Sequence, residues 1–316
     1  MSKKSMREAF GNTLVELGEE DQDIVVVDAD LSTSTKTDIF KKVFSERFVD
    51  VGIAEQNLIG VSSGIASTGK KVFASSFAVF ETGRAYEVIR NMTCMANLNV
   101  KLCATHAGLM TGPDGATHQS IEDLAIMRVL PNMKVFVPAD AYETRQIVRA
   151  AAEVEGPVYI RMVRDDVENI YTDEYEFEIG KASLLREGSD LSIVACGPMV
   201  RLAIEASDRL RDEGINARVV NMSTIKPIDT DILLDCAQNT RGIITVEDHS
   251  VLGGLGSAVS EVVSETIPTK VCKIGVKDLF GMSGKTEELY EQYGLTEDSI
   301  YEKAMQMMEI EPAQYF

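Results

Sequence analysis

The chain has 316 residues, enough for two domains of ordinary size. Its 31 Lys and Arg against 50 Asp and Glu give a formal charge of −19. That argues against a nucleic-acid binder and, less strongly, against docking on an anionic membrane, because both need a basic face. The hydrophobic share of 45% excludes global disorder. No run of about 18 apolar residues is present to span a membrane. Met1-Ser2-Lys3-Lys4-Ser5 leads into a polar amphipathic segment rather than a signal-peptide core. The five cysteines (Cys94, Cys103, Cys196, Cys236, Cys272) are scattered and include no Cys-x-x-Cys pair. They read as reduced thiols of a cytoplasmic protein, not as a disulfide framework or zinc site.

Met6–Leu17 reads as the first helix, with Met6, Phe10, Thr13, Leu14 and Leu17 near one face. Apolar runs at Ile24–Val27, Val72–Phe77, Val100–Ala104, Val135–Val137 and Val158–Met162 predict strands. Helices are expected over Ser120–Val129 and Asp140–Glu153. Each opens on a capping-box spacing, Ser120 with Asp123 and Asp140 with Glu143. From Asp165 to Glu178, seven of fourteen residues are acidic and none is basic, as expected of a solvated linker or edge segment. A second series follows, with strands at Leu191–Ala195, Ala217–Met222, Gly242–Val246 and Lys270–Ile274. Its helices are expected at Met199–Glu213, Gly256–Thr266 and Thr296–Met308. Alternating strands and helices imply mostly parallel sheets covered on both faces, with ligands at the carboxyl ends of the strands. The expected fold is α/β in two doubly wound domains, residues 1–180 and 187–316.

Three segments carry candidate chemistry. In Val51-Gly52-Ile53-Ala54-Glu55-Gln56-Asn57 a carboxylate stands where an apolar segment passes into a helix rich in small residues. Taken alone, pairing with the helix dipole explains Glu55 at least as well as catalysis. Ser75-Ser76-Phe77-Ala78-Val79-Phe80 places two aromatics three apart after a strand, either as a wall for a flat heterocycle or as core residues. The densest stretch, Ala104–Gln119, holds two of the three histidines, His106 and His118, together with Asp114, three Gly and a Pro. It follows a strand and precedes a helix, where shaped loops carry function. Proton transfer and hydroxyl recognition fit these residues better than a metal, which needs more ligands at more regular spacing.

In this order and spacing the motifs resemble the C-terminal half of transketolase, as found in enzymes split over two subunits. Gly52-Ile53-Ala54-Glu55-Gln56 is similar to the family's cofactor-glutamate motif, and Ser76-Phe77 with Phe80 to its pyrimidine-stacking segment. Ala104-Thr105-His106 with Gly112-x-Asp114-Gly115-x-Thr117-His118-Gln119 is similar to its substrate loop. Val246-Glu247-Asp248-His249 with Gly253-Gly254-Leu255-Gly256 is similar to its C-terminal signature. The resemblance covers residues 5–310.

It implies a pyrimidine-binding domain for thiamine diphosphate followed by a transketolase C-terminal domain. Glu55 would bond the cofactor's pyrimidine, favouring the imino tautomer that activates the thiazolium, with Phe77 stacked on the ring and Phe80 nearby. Gly83 stands where some transketolases carry a further aromatic. His106 and His118 would contact substrate hydroxyls and phosphate and assist proton transfer, and Asp114 would fix a sugar hydroxyl. Arg7, Ser34 and Arg164 would hold the terminal phosphate, with Asp28 and Asp30 lining the same cleft. Gly253–Gly256 reads as tight packing rather than a phosphate cradle, and His249 as structural or interfacial.

The family's Gly-Asp-Gly stretch for diphosphate and metal is missing. Those groups, including Mg2+ or a similar ion, are therefore expected on an N-terminal partner subunit, in an α2β2 assembly. The implied reaction transfers a two-carbon ketol unit from a ketose phosphate to an aldose phosphate, as in the pentose phosphate pathway. Deoxyxylulose-phosphate synthase shares two of the motifs but typically has Arg in place of His106. The beta subunit of 2-oxoacid dehydrogenases lacks this substrate loop. A non-catalytic regulatory partner would be expected to have lost the cofactor groups.

Overall fold

The computed structural model describes residues 3–309. Strands β1 (Ile24–Asp28), β2 (Phe48–Asp50), β3 (Lys71–Ser75), β4 (Val100–Ala104), β5 (Lys134–Phe136) and β6 (Val158–Arg161) run parallel in the order 5-6-4-3-1-2. Their apolar composition suits a sheet buried on both sides. The helices beside it are α1 (Met6–Glu20), α2 (Glu55–Ala66), α3 (Asp123–Arg128) and α4 (Ala141–Glu153). α1 and α4 close one face with Phe10, Leu14, Ile147 and Val148, while α2 and α3 close the other with Leu58, Ile59, Leu124 and Met127. The buried stripe of α1 includes all five residues expected, and Ser5 caps the helix by accepting from Glu8 N–H.

The second sheet holds β7 (Ser183–Arg186), β8 (Leu191–Ala195) and β9 (Ala217–Asn221). The chain then leaves this sheet for β10 (Thr224–Lys226) and returns to it with β11 (Ile243–Ser250) and β12 (Val271–Val276). Its order is β12-β11-β8-β9-β7, parallel except for β7. Helices α5 (Met199–Asp212), α6 (Thr230–Asn239), α7 (Leu255–Thr266), α8 (Thr286–Tyr293) and α9 (Glu297–Glu309) surround it. α5, α8 and α9 pack on one side, α6 and α7 on the other. Both sheets are thus doubly wound, as the alternating pattern implied.

Three local expectations are corrected, and one strand pairing was not anticipated. β3 ends at Ser75, and Phe77 joins the sheet only through an isolated bridge to Thr105. α3 starts at Asp123 without a Ser120 cap. Asp123 instead accepts from Arg161 Nε at 2.7 Å and the Tyr159 hydroxyl at 2.6 Å, a buried pairing that overrides the local box. β10 pairs antiparallel with β5, so the second half of the chain completes the edge of the first sheet. The acidic linker is only half solvated. Asp166, Asp173, Glu174, Glu176 and Glu178 are exposed. Tyr171 and Tyr175 stack at 3.8 Å, and Asp140 accepts from the N–H groups of Ile170 and Tyr171. The Asp140–Glu143 spacing does form a cap, Glu143 N–H donating to Asp140 at 2.8 Å. All five cysteines are unpaired. No helix among the described residues is long and apolar enough to cross a membrane.

Candidate active site

The candidate residues gather at the carboxyl ends of the first sheet's strands. Glu55 is the first residue of α2 and only 3% exposed. A helix N-terminus favours a carboxylate there. Arg84 Nη1 lies 3.3 Å from its Oε2. The Arg84 guanidinium also lies 5.9 Å from the centroid of the Phe80 ring, a member of a ring cluster. Phe77 and His106 stack with centroids 3.7 Å apart and planes 21° apart. Phe80 lies 6.0 Å from Phe77, nearly parallel, and His118 meets Phe80 edge-on at 5.1 Å. Phe77 is 7% exposed because His106 covers it, so Phe80, half-buried, offers the more open ring.

His106 has a left-handed backbone (φ 57°), and its Nδ1 is 2.9 Å from Thr105 Oγ1. Burial, then the charges of Arg7 and Arg164 and the neighbouring His118, push its pKa down to about 3. The imidazole is therefore neutral near pH 7, able to donate from one nitrogen and accept at the other. His118 pairs its Nδ1 with Thr117 Oγ1 at 2.9 Å.

The loop carrying these histidines is shaped by Gly108, Gly112 and Gly115, all at positive φ, and is gripped by the second half of the chain. Asp248 on β11 accepts from Leu109 N–H at 2.9 Å and from the Tyr290 hydroxyl at 3.0 Å. A side chain at Gly108 would overlap the Asp248 carboxylate, which explains the glycine. Gln119 Nε2 donates to Met282 O, and Ser283 Oγ to Pro113 O. Asp114 is exposed on the same loop, beside Gly115.

Arg7 and Arg164 converge on His106. Arg7 Nη1 donates to the carbonyl of Ser34 at 2.8 Å, while its Nε is buried without a partner. Burial and then Arg164 lower the pKa of Arg7. Arg164 Nη1 reaches Thr111 O at 3.4 Å. Ser34 thus meets this group through its main chain. Asp28 does not line the cleft: it is fully buried and accepts from Leu31 N–H and the hydroxyls of Thr35 and Thr37. Asp30, exposed at φ 62°, donates its N–H to Asp50.

The glycine run before α7 is packing, as expected. Glu247 accepts from the N–H groups of Leu255 and Gly256 at 2.7 and 2.8 Å, occupying the helix terminus that an anion would need. His249 is buried between the halves. Its Nδ1 donates to Ser250 O at 2.7 Å, and Nε2 accepts from Ala125 N–H at 3.4 Å. Among the described residues, no group of three or more His, Cys, Asp or Glu could hold a metal ion. Arg84 and Asp248 were not singled out from sequence. Asp248 stood within the C-terminal signature, but its partners are distant in sequence, from 42 residues for Tyr290 to 139 for Leu109.

Two family models match the chain: the transketolase pyrimidine-binding domain over residues 2–169 and the transketolase C-terminal domain over residues 180–300. A putative transketolase C-terminal section from Methanocaldococcus jannaschii is 51% identical over 311 residues, with 98% of each chain covered. A subunit of the apulose-4-phosphate transketolase from Phocaeicola vulgatus is 40% identical, covering 96% of this chain and 97% of its own. A solved split-gene transketolase, an inactive beta4 tetramer, superposes with a TM-score of 0.90 at 54% identity, over 96% of this chain and 98% of its own. The chain belongs to the transketolase family, carrying that family's pyrimidine-binding domain followed by its C-terminal domain.

Proposed function

We propose that the chain is the C-terminal subunit of a split, thiamine-diphosphate-dependent transketolase that moves a two-carbon ketol unit from a ketose phosphate to an aldose phosphate. The observation that carries this reading is the convergence at the carboxyl ends of the first sheet's strands of buried Glu55, the Phe77–Phe80–His106–His118 ring cluster and the Arg7–Arg164 pair. The donor set fits the pyrimidine side of the cofactor: a buried carboxyl for a ring nitrogen and an open aromatic face on Phe80. Thiamine diphosphate supplies, when bound, the carbon nucleophile and electron sink for breaking the sugar's carbon–carbon bond. Glu55 holds the ring nitrogen from the α2 terminus, where a low-dielectric setting strengthens the bond. Neutral His106, with His118, exchanges hydrogen bonds with sugar hydroxyls, and Asp114 fixes one of them. Arg7 and Arg164 take the terminal phosphate through paired N–H donors, with the Ser34 carbonyl orienting Arg7.

The diphosphate and a divalent ion such as Mg2+ fall to an N-terminal partner subunit, in an α2β2 assembly. Relatives of the same length, one a C-terminal section and one a transketolase subunit, support this, as does the inactive state of the beta4 tetramer. The apulose-phosphate relative widens the range of sugars, and the proposal extends only to phosphorylated ones. Free cysteines favour a reducing compartment such as the cytoplasm.

The test is reconstitution with the N-terminal partner, thiamine diphosphate and Mg2+, using xylulose phosphate or pyruvate as donor. Ketol transfer from the sugar is expected, with Glu55→Gln lowering it by at least about 100-fold. Pyruvate turnover without ketose turnover would favour the synthase alternative. Unchanged activity in Glu55→Gln would favour a non-catalytic partner, and full activity of this chain alone would refute the split arrangement.

A further inference from the structure

Glu81 is a buried carboxyl with no part in the chemistry above. It follows Phe80 in a π-helical stretch, Val79–Arg84. The side chain is fully buried, neither carboxyl oxygen has a partner at hydrogen-bond distance, and the Ser76 main chain is the one polar group among the described residues near enough to favour its charged form. Its titratable neighbours offer no counter-charge: Asp28 at the end of β1, the Cys103 thiol on β4 and the Tyr159 phenol on β6. Burial raises the pKa of Asp28, but one N–H and two hydroxyl donors stabilise its carboxylate, whose charge opposes a second one. On the packed helices, Glu55 of α2 engages Arg84, and Asp123 of α3 is neutralised by Arg161. Burying an unpaired carboxylate is far costlier than burying the neutral acid.

We propose that Glu81 is a positioning residue: an uncharged carboxylic acid, sealed behind the aromatic wall, that keeps the Val79–Arg84 turn closed. Phe80 and Arg84 belong to that turn. Within it, Phe80 N–H and Glu81 N–H both bond to Phe77 O, at 3.0 and 2.9 Å, and the Thr82 hydroxyl bonds to Ala78 O at 2.7 Å. An ionised Glu81 must reach water, and reaching water opens the turn and carries Phe80 and Arg84 away from Glu55. The proposal rests on the reading of Phe80 as part of the cofactor wall. Burial, and then Asp28, hold the Glu81 carboxyl well above the usual carboxylate range.

The experiment compares wild type, Glu81→Gln and Glu81→Met, each as the full chain, by thermal unfolding from about pH 6 to about pH 9. Unfolded Glu81 is ionised throughout that window, whereas burial and Asp28 favour the proton on folded Glu81. The folded state binds the extra proton, so stability falls as pH rises. The wild-type midpoint should drop relative to both variants, by up to about 2 °C per pH unit while folded Glu81 holds its proton. In the reconstituted complex, calorimetric titration with thiamine diphosphate should show wild-type affinity falling at alkaline pH while both variants stay flat by comparison. Parallel unfolding curves would overturn the neutral-acid assignment. So would failure of both variants to fold, because it would reveal a charge that Gln and Met cannot replace. An unfolding slope without the matching change in affinity would overturn the positioning role. The unfolding arm needs no cofactor, so its outcome is separable from the failure of the transketolase reading itself.

Discussion

Arg7 and Arg164 both bear on His106, and Arg7 Nε is buried without an acceptor. The Arg164 charge works against that of Arg7 and is only partly offset by Asp165, Asp166 and Glu8, so an anion between them is favoured. A phosphate, with several acceptor oxygens, suits the remaining donors. Arg7→Gln and Arg164→Gln should each raise KM for a phosphorylated ketose by about 10- to 100-fold, the scale of one hydrogen bond to a charged group. kcat should change little, and an unphosphorylated ketose should be unaffected, in steady-state kinetics of the reconstituted complex. Equal losses on both ketoses would deny the phosphate role. At this scale the sequence made Glu55, His106 and His118 legible through the motifs around them. It did not show that His106 covers Phe77, because that contact depends on where the loop after β4 lies against the end of β3. Nor did it show Ser34 turning its carbonyl to Arg7, since a hydroxyl-rich run draws attention to its side chains.

The glycine run before α7 illustrates how an element can imitate a ligand site. A Cβ at Gly254 would overlap Glu247 Oε2 and lie 2.6 Å from His249 Nδ1. Gly254→Ala should therefore push the Glu247 carboxyl off the α7 terminus and destabilise the fold by about 2 kcal/mol, the scale of an overpacked site. The unfolding midpoint should fall by several degrees while activity per folded molecule stays unchanged. A loss of phosphate-dependent affinity at an unchanged midpoint would instead revive the cradle. The long strands β1, β3, β4, β6, β8, β9 and β11 were legible as apolar runs, their ends less so. β10, Thr-Ile-Lys, was not, because it has a single apolar residue and its partner β5 lies in the other half of the chain. The start of α3 was misplaced for a related reason. Asp123 satisfies the local box pattern, but Arg161, 38 residues away, claims it.

At the scale of the molecule, two family domains behave as one packed body. β10 completes the first sheet, and one apolar cluster runs from Leu58 and Met127 through Met222 and Leu233 to Val259. Arg161 Nη2 joins Ser120 O and Asp248 O at 3.2 and 2.9 Å, while Asp248 holds the substrate loop. The two bonds to Asp248 cross between the halves and are buried, so separating the halves removes those partners. Calorimetry of the full chain should accordingly show one transition, with calorimetric and van't Hoff enthalpies in agreement. A fragment ending at residue 180 loses β10, uncovers Leu124 and Met127, and leaves Arg161 and the 108–119 loop without Asp248. It should show no cooperative thermal transition and no fixed near-ultraviolet dichroism. Two resolved transitions in the full chain, or a cooperatively folded fragment, would establish instead that the halves are independent and that the grip of Asp248 forms only after each has folded.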